Sequence, residues 1–361
     1  MFVDVAAAVQ PSESAWVRPL NTIVSAHLDQ KNNPFYQHGR GRAFVALSNG
    51  EPVGRILAHI SNRQQRLLGQ RVGCFGLFET IDDRDVSQAL LVAAERYLTS
   101  NGCTDMAGPF NITAAQEMGI VVRGFENSPN IDMVQNPAWY DRLLRDCGMK
   151  PCLRMKTWRT DDVSDIDPAA LMNEHRRAGL TAHGVSVRTM NWRQRHHDME
   201  AIRELVNCAF LGNWGFVPID RAEWIAQLGP LIPLLDPSLI QIAEVAGVPV
   251  GVTFAVPDYN LVLQSTDGRL LHPAMLRLMS RRPLRDAAVI LFALRKSYQG
   301  LGISRRLNQE LICNMQRRGY KGLSCTWIAD ANKASEAQVA GWGAAPLHNL
   351  AMYHRSLGGA L

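Results

Sequence analysis

Gly50-Glu51-Pro52-Val53-Gly54 and Gly247-Val248-Pro249-Val250-Gly251 read alike although they lie in opposite halves of a 361-residue chain. An apolar run leads into each (Ala43 to Leu47; Leu239 to Val245), a Gly-x-Pro turn follows, and a second run leads out (Val53 to Ile60; Val250 to Val256). This pattern predicts a hairpin in both places. The likeness continues downstream in the same order. A strand (Val72 to Phe78; Ala287 to Leu294) precedes an amphipathic helix (Val86 to Thr99; Ile303 to Arg318), and each helix closes on a glycine, Gly102 or Gly319. Another strand follows (Thr104 to Ala107; Gly322 to Trp327), then an asparagine (Asn136; Asn332), a second helix, a closing glycine (Gly148; Gly343) and a final pair of strands (Lys150 to Arg159; Pro346 to Tyr353). Gly-Pro turns and amphipathic helices are common singly, but matching elements in one order indicate a duplication. The expectation is an α/β unit built twice, residues 1–165 and 188–361, joined by a linker helix over 166–187.

Composition limits what the two copies can do. With 47% hydrophobic, 7% aromatic and 20% charged residues the chain is a globular one with material for more than one core. Its net charge of +5 is too small for a duplex nucleic-acid footprint and admits an anionic ligand. The richest apolar stretch, Leu228 to Ala243, is broken by Pro230, Pro233 and Pro237, so no transmembrane segment is expected. The opening MFVDVAAAVQPSES lacks the basic start of an export signal, and the seven scattered cysteines include no C-x-x-C pair. Both point to a cytoplasmic location, without a disulfide framework or zinc site. The adjacent His196 and His197 are poorly spaced for a metal, and none is expected.

The copies differ between their third strand and first long helix. In the second copy the junction reads Arg295-Lys296-Ser297-Tyr298-Gln299-Gly300-Leu301-Gly302-Ile303-Ser304. Glycines there let backbone N–H groups face a ligand, the helix N-terminus favours an anion, and Arg295, Lys296, Arg305 and Arg306 add positive charge, a combination suited to a pyrophosphate. A tight turn with solvated cations is the other reading. Aligning Gly102 with Gly319 sets Phe78 opposite Arg295 and Asp85 opposite Gly302, so the first copy reads Glu79-Thr80-Ile81-Asp82-Asp83-Arg84-Asp85, with four carboxylates and no glycine. It would repel what the second copy attracts.

Gln299-x-x-Gly302-x-Ser304, with Ser in the last small position, resembles the signature of the GNAT superfamily of acyl-CoA-dependent N-acyltransferases, and Asn332 resembles the asparagine of its next motif. Over nearly the whole chain, Asn33-Pro34-Phe35-Tyr36-Gln37-His38, Gly76-Leu77-Phe78-Glu79, Asn136-Pro137-Ala138-Trp139-Tyr140, Asn213-Trp214-Gly215-Phe216-Val217-Pro218, Pro257-Asp258-Tyr259-Asn260 and Tyr353-His354-Arg355 resemble tandem-GNAT bacterial proteins similar to bacterial ceramide synthases. The resemblance implies a tandem duplication of the GNAT fold, a mixed, mostly antiparallel sheet flanked by helices. It also implies an acyl-CoA, or the acyl-phosphopantetheine of a carrier protein, held by Phe292, Leu294, Gln299, Gly300, Leu301, Gly302, Ile303, Ser304 and Asn332. Direct attack by a small-molecule or lipid amine follows, with a backbone N–H near Phe292 to Leu294 stabilising the oxyanion. An aminoacyl-tRNA donor and a catalytically silent acyl-CoA-binding scaffold are the alternatives.

An amine must lose a proton, and the strand Ala287 to Leu294 carries no acid. Asp258 is the first candidate base, a turn role being its alternative, and Glu79 the second if the copies face each other. Val339 stands where many relatives carry a general-acid Tyr, for which Tyr298 or Tyr353 is the substitute. Asn213, Trp214, Phe216 and Asn260 are candidates for the acceptor wall, with core packing as the alternative for the aromatics. Leu271, Met275, Leu276, Leu278 and Met279 either line an acyl channel or pack a surface helix.

Overall fold

The computed structural model describes residues 1–10, 16–112, 117–213, 215–266, 269, 273 and 284–358. Five strands belong to the first half by chain order and one, β6, closes it: β1 (Gly39–Ser48), β2 (Glu51–Ser61), β3 (Val72–Thr80), β4 (Asp105–Gly108), β5 (Ile120–Arg123) and β6 (Lys150–Thr160). The second half holds β7 (Val185–Thr189), β8 (Ile240–Val245), β9 (Val248–Pro257), β10 (Ala287–Leu294), β11 (Leu323–Ala329) and β12 (Ala345–Ser356). All twelve form one sheet, in the order β1-β2-β3-β4-β12-β6-β11-β10-β9-β8-β7, with β5 also on β12. Only β3 with β4 and β10 with β11 run parallel.

Both hairpins form, although the turn is not the Gly-x-Pro segment. The reversals are Asn49-Gly50 (φ +52° and +86°) and Ala246-Gly247 (+50° and +76°), and positive φ at both central residues is what a two-residue hairpin of this hand needs. The prolines lie in the outgoing strands. There Leu47 pairs with Pro52 but Ala46 with Gly54, and Glu244 pairs with Pro249 but Ala243 with Gly251. Val53 and Val250 are thus the extra residue of the same bulge. β2 and β9 are then buried almost continuously, as strands covered on both faces are. The helices Arg84–Ser100 and Ile303–Arg318 lie on them, burying Leu90, Leu91, Ala94 and Leu98 in one half and Ile303, Leu307, Leu311 and Met315 in the other.

The closing strands change places. β6 leaves the first half to pair with β11, while β12 returns from the second half to pair with β4, and β6 and β12 pair with each other along the middle of the sheet. Tyr353, fully buried, hydrogen-bonds Asp141 of the first half, and Arg355 ion-pairs with Glu95 and donates to the Cys147 carbonyl at 2.8 Å. Away from the sheet, the nearly buried Glu223 joins the halves, taking His38 at 2.6 Å and Arg63 at 3.2 Å.

Candidate active site

β10 and β11 pair in parallel for three residues only, Ala287 to Val289 against Leu323 to Cys325, and then part. At the same point β10 bulges away from β9, leaving Ile290 unpaired between Val289 and Leu291. Ile290, Leu291 and Phe292 keep exposed surface, and among the described residues no side chain hydrogen-bonds the backbone of Ile290 to Leu294. Beyond the strand, Gly300 (φ +84°) and Gly302 (φ +88°) lead into the helix Ile303–Arg318, with Gly302 as its N-cap and no side-chain cap. Among the described residues no group accepts from the N–H of Gly300, Leu301, Gly302, Ile303, Ser304 or Arg305. Six amides at the positive end of a 16-residue helix make a strong anion cradle. A Cβ built on Gly300 would meet no protein atom, so the cradle is open. Of the four basic residues, Arg295 donates to the Pro249 carbonyl and Arg306 pairs with Glu310, whereas Lys296 and Arg305 are exposed.

The first half closes each of these features with its own atoms. Its register places Ile81, not Phe78, opposite Arg295, because Ile81 and Arg295 donate to the carbonyls of the bulged valines, Val53 and Val250, at 3.1 and 2.9 Å. Only two residues then separate strand end Thr80 from N-cap Asp83, against seven between Leu294 and Gly302. Glu79 lies inside β3 rather than in the turn. The Asp83 carboxylate accepts from the N–H groups of Asp85 and Val86 at 2.7 and 3.1 Å, so the helix carries its own anion. Where β4 parts from β3, Phe110 N–H donates to Phe75 O at 2.7 Å and the Asn111 side-chain oxygen accepts from Leu77 N–H at 2.8 Å. Gly76 is required there, since a Cβ would lie 2.5 Å from Phe110 O. Asn136, the residue matched to Asn332, clasps both backbone groups of Val121, while Asn332 caps the helix Lys333–Ala340 through Ser335 N–H and is exposed.

Between the halves lies a cavity of about 660 Å³. The first half lines it with Leu77, Glu79, Glu117 and Tyr140, a loop over 129–136 forms one side, and the second half contributes Leu231, Leu234, Val256, Tyr259, Leu263 and Ile290. Its wall therefore includes the bulge of β10. Glu79 accepts from the Tyr140 hydroxyl at 2.7 Å and from Gln10 at 3.1 Å, and it faces Arg55 at 3.6 Å. Burial pushes its carboxyl up, against the pull of Arg55. Glu117 accepts from the Asn111 side-chain amide at 3.1 Å, and burial plus the charge of Glu79 push it to about 7. Asp132 is likewise held near 7, by burial and then by Glu117.

The structure separates the residues expected from sequence. Asn260 and Glu79 line the cavity. Asp258 does not. Its carboxylate accepts from Ile131 and Asn260 N–H at 3.1 and 2.9 Å, the turn role with a second-half to first-half tie added. Tyr353 sits buried in the first half on Asp141, away from the glycine turn, and Val339 is core. Tyr298 packs with Phe292 beside Ile303 and Leu307. Phe216 packs in the core around Trp224 and Phe254, and Asn213 is exposed in a turn. Trp214, Leu271, Met275, Leu276, Leu278 and Met279 lie outside the described residues. Glu117 and Asp132 carried no motif. Among the described residues no group of three or more His, Cys, Asp and Glu is placed to hold a metal, and no helix is long and apolar enough to cross a membrane.

No family model matches the chain. It is 29% identical over 366 residues to protein YghO of Escherichia coli, covering 99% of this chain and 92% of that one. It is 28% identical over 344 residues to a bacterial ceramide synthase of Caulobacter vibrioides, covering 92% and 88%. Among solved structures, a tandem GNAT protein from the clavulanic acid biosynthesis pathway aligns over 100% of this chain and 95% of its own with a TM-score of 0.58 at 14% identity. A GNAT N-acetyltransferase from Sphaerobacter thermophilus aligns over 88% and 82% with a TM-score of 0.51 at 13% identity. The parted parallel strands, the glycine turn and these alignments agree that the chain has the tandem GNAT fold.

Proposed function

We propose that the protein is an N-acyltransferase that takes an acyl group from a coenzyme A or carrier-protein thioester in its second half, residues 188–361, and delivers it to an amine in the cavity between the halves. The observation that carries this reading is Ile290. The residue at which β10 parts from β11 and bulges from β9 is also a wall of the cavity, so a donor beside β10 and an acceptor in the cavity would meet there. Residues Gln299 to Ser304 suit the phosphates, and the free edge of Ile290 to Leu294 suits the pantetheine arm as an added strand. The bound thioester supplies an activated acyl carbon; the chain's amides near Phe292 would polarise its carbonyl. The first half, residues 1–165, is a wall and no second donor site, because Asp83, Phe110 and Asn111 occupy the equivalent positions. The cavity's volume and its leucine-rich side suit an amine that bears an apolar chain, in keeping with the ceramide synthase relative.

Thermal shift with acetyl-CoA, palmitoyl-CoA and desulfo-CoA, and with an acylated carrier protein, tests the donor. Stabilisation by one of them, about 2.7 kcal/mol at a hundredfold excess over Kd, is expected. No stabilisation by any, or no transfer to any of a panel of amines, overturns the proposal.

A further inference from the structure

The cavity wall carries more carboxylates (Asp29, Glu79, Glu117, Asp132 and Glu223) than arginines (Arg18 and Arg55). Of the carboxylates on its wall, Glu79 faces Arg55, and Glu223 takes His38 and Arg63. Glu117 and Asp132 have no cation within ion-pair distance among the described residues, and Asp132 makes no hydrogen bond there either. Both are exposed side chains that line this cavity, so their carboxylates are open to whatever occupies it. A carboxylate that faces a largely apolar cavity with no ion-pair partner is free to take a ligand's cation.

Placement gives that ligand a location. Asp132 follows Ile131, whose N–H is held by Asp258 of the second half at 3.1 Å, and Ile131 packs on the same core around Phe254 and Val256 as Ile290 does. The neighbouring Asn130 accepts from Arg159, and Pro129 O accepts from the Asn260 side chain at 2.9 Å. A first-half loop is thus fastened at two points, Ile131 and Pro129, to the segment that follows β9 in the second half. Asp132 itself sits at φ +61°, a conformation that Asp and Asn adopt more readily than other side chains.

We infer that Asp132 is the carboxylate that receives the acceptor's ammonium group and takes its proton, with Glu117 beside it adding attraction for the cation and Asp258 acting as a positioning residue for the loop. This rests on the acyl-transfer reading above. The ammonium gives one proton to the Asp132 carboxylate. The freed nitrogen lone pair then forms the C–N bond at the thioester carbon as the C–S bond breaks, and the nitrogen's second proton goes to the departing thiolate. Amide, free thiol and protonated Asp132 result, and Asp132 returns its proton to water. The first half, which holds no donor, would so provide the acid–base group for the second.

The test needs no donor. In isothermal titration of the full chain, n-octylamine should bind at least about tenfold more tightly than n-octanol, because only the amine is a cation. Asp132→Asn should abolish that preference and Asp132→Glu restore part of it. Glu117→Gln, a second variant at a different loop, should reduce it. Equal binding of amine and alcohol by the unaltered chain, or an undiminished preference in folded Asp132→Asn, overturns the assignment. Stabilisation of Asp132→Asn by acyl donors should match that of the unaltered chain. If no donor stabilises either protein, acyl transfer fails as a reading while the amine preference is judged separately.

Discussion

At Asp83 and at Gly302 the chain enters corresponding helices of its two halves, and the two residues treat the helix amides oppositely. Asp83 brings its own carboxylate to them, whereas Gly302 brings nothing and leaves them facing outward. The same contrast recurs where the parallel strands part: Phe110 and Asn111 fill the gap in the first half, and in the second β11 continues to Ala329 on the β6 side, with an irregularity between Cys325 and Ile328. An open helix start and a capped one therefore differ by whether the chain supplies its own anion and by five residues of turn. In the first half these backbone groups are paired from within, through Asp83, Phe110 and Asn111.

The comparison is broken most completely by separating the halves. Residues 1–165 and 166–361 made as two chains should each fail to fold alone, because each lacks the strand that the other holds, and should regain structure when co-expressed; circular dichroism and gel filtration check this, and cooperative unfolding of either piece alone would count against it. Next in size, Gly302→Glu converts the open helix end to the closed kind and strains a positive φ, so acyl-CoA affinity should fall about a hundredfold, or about 2.8 kcal/mol. Calorimetric titration decides it, and unchanged affinity would mean that the phosphates lie elsewhere. Gly76→Ala forces a Cβ against Phe110 O and should cost about 1–3 kcal/mol in chemical unfolding without touching donor binding. Asp83→Ala removes the first half's cap for about 1 kcal/mol and should confer no acyl-CoA binding, since Phe110 and Asn111 still fill the strand gap.

The smallest effect is a dependence on pH. Glu117 and Asp132 titrate near 7 in the folded chain, above their ordinary values of 4.5 and 3.8. A raised carboxyl helps folding fully below its unfolded value, and that help disappears as pH rises through about 7. Without ligand, the unaltered chain and a Glu117→Gln, Asp132→Asn double variant should melt alike near pH 3.5, and the variant should become increasingly the more stable as pH rises from about 4 to 7. Parallel melting curves at every pH would show the two carboxyls to be solvated.

Much of this contrast was legible in the residues. Asn49-Gly50 and the shared Gly-x-Pro-Val-Gly announce the repeated hairpin because local backbone chemistry dictates it. Gly300 and Gly302 announce an open turn for the same reason. The alignment by helix-closing glycines misplaced the first half's turn by three residues, since the two helices and their turns differ in length while the bulged valines keep register. Asp258 reads as a base in isolation, and only its contact with Ile131 shows it holding a loop. Asp132 and Glu117 are single acids in irregular segments, made significant by what the fold brings around them. The exchange of β6 and β12 was equally silent, because strand order within a sheet is not written in the order of elements along a chain.

That exchange also sets a timetable. During synthesis β4 waits for β12, and β6 waits for β11 and β12, so strand edges that end up in the middle of the sheet stay unpaired while the second half is made. At about 5–20 residues per second, the interval between Thr160 and Ala345 leaves them open for roughly 10–40 s. A nascent chain of this protein therefore carries exposed edges, open to other chains, until β12 has left the ribosome.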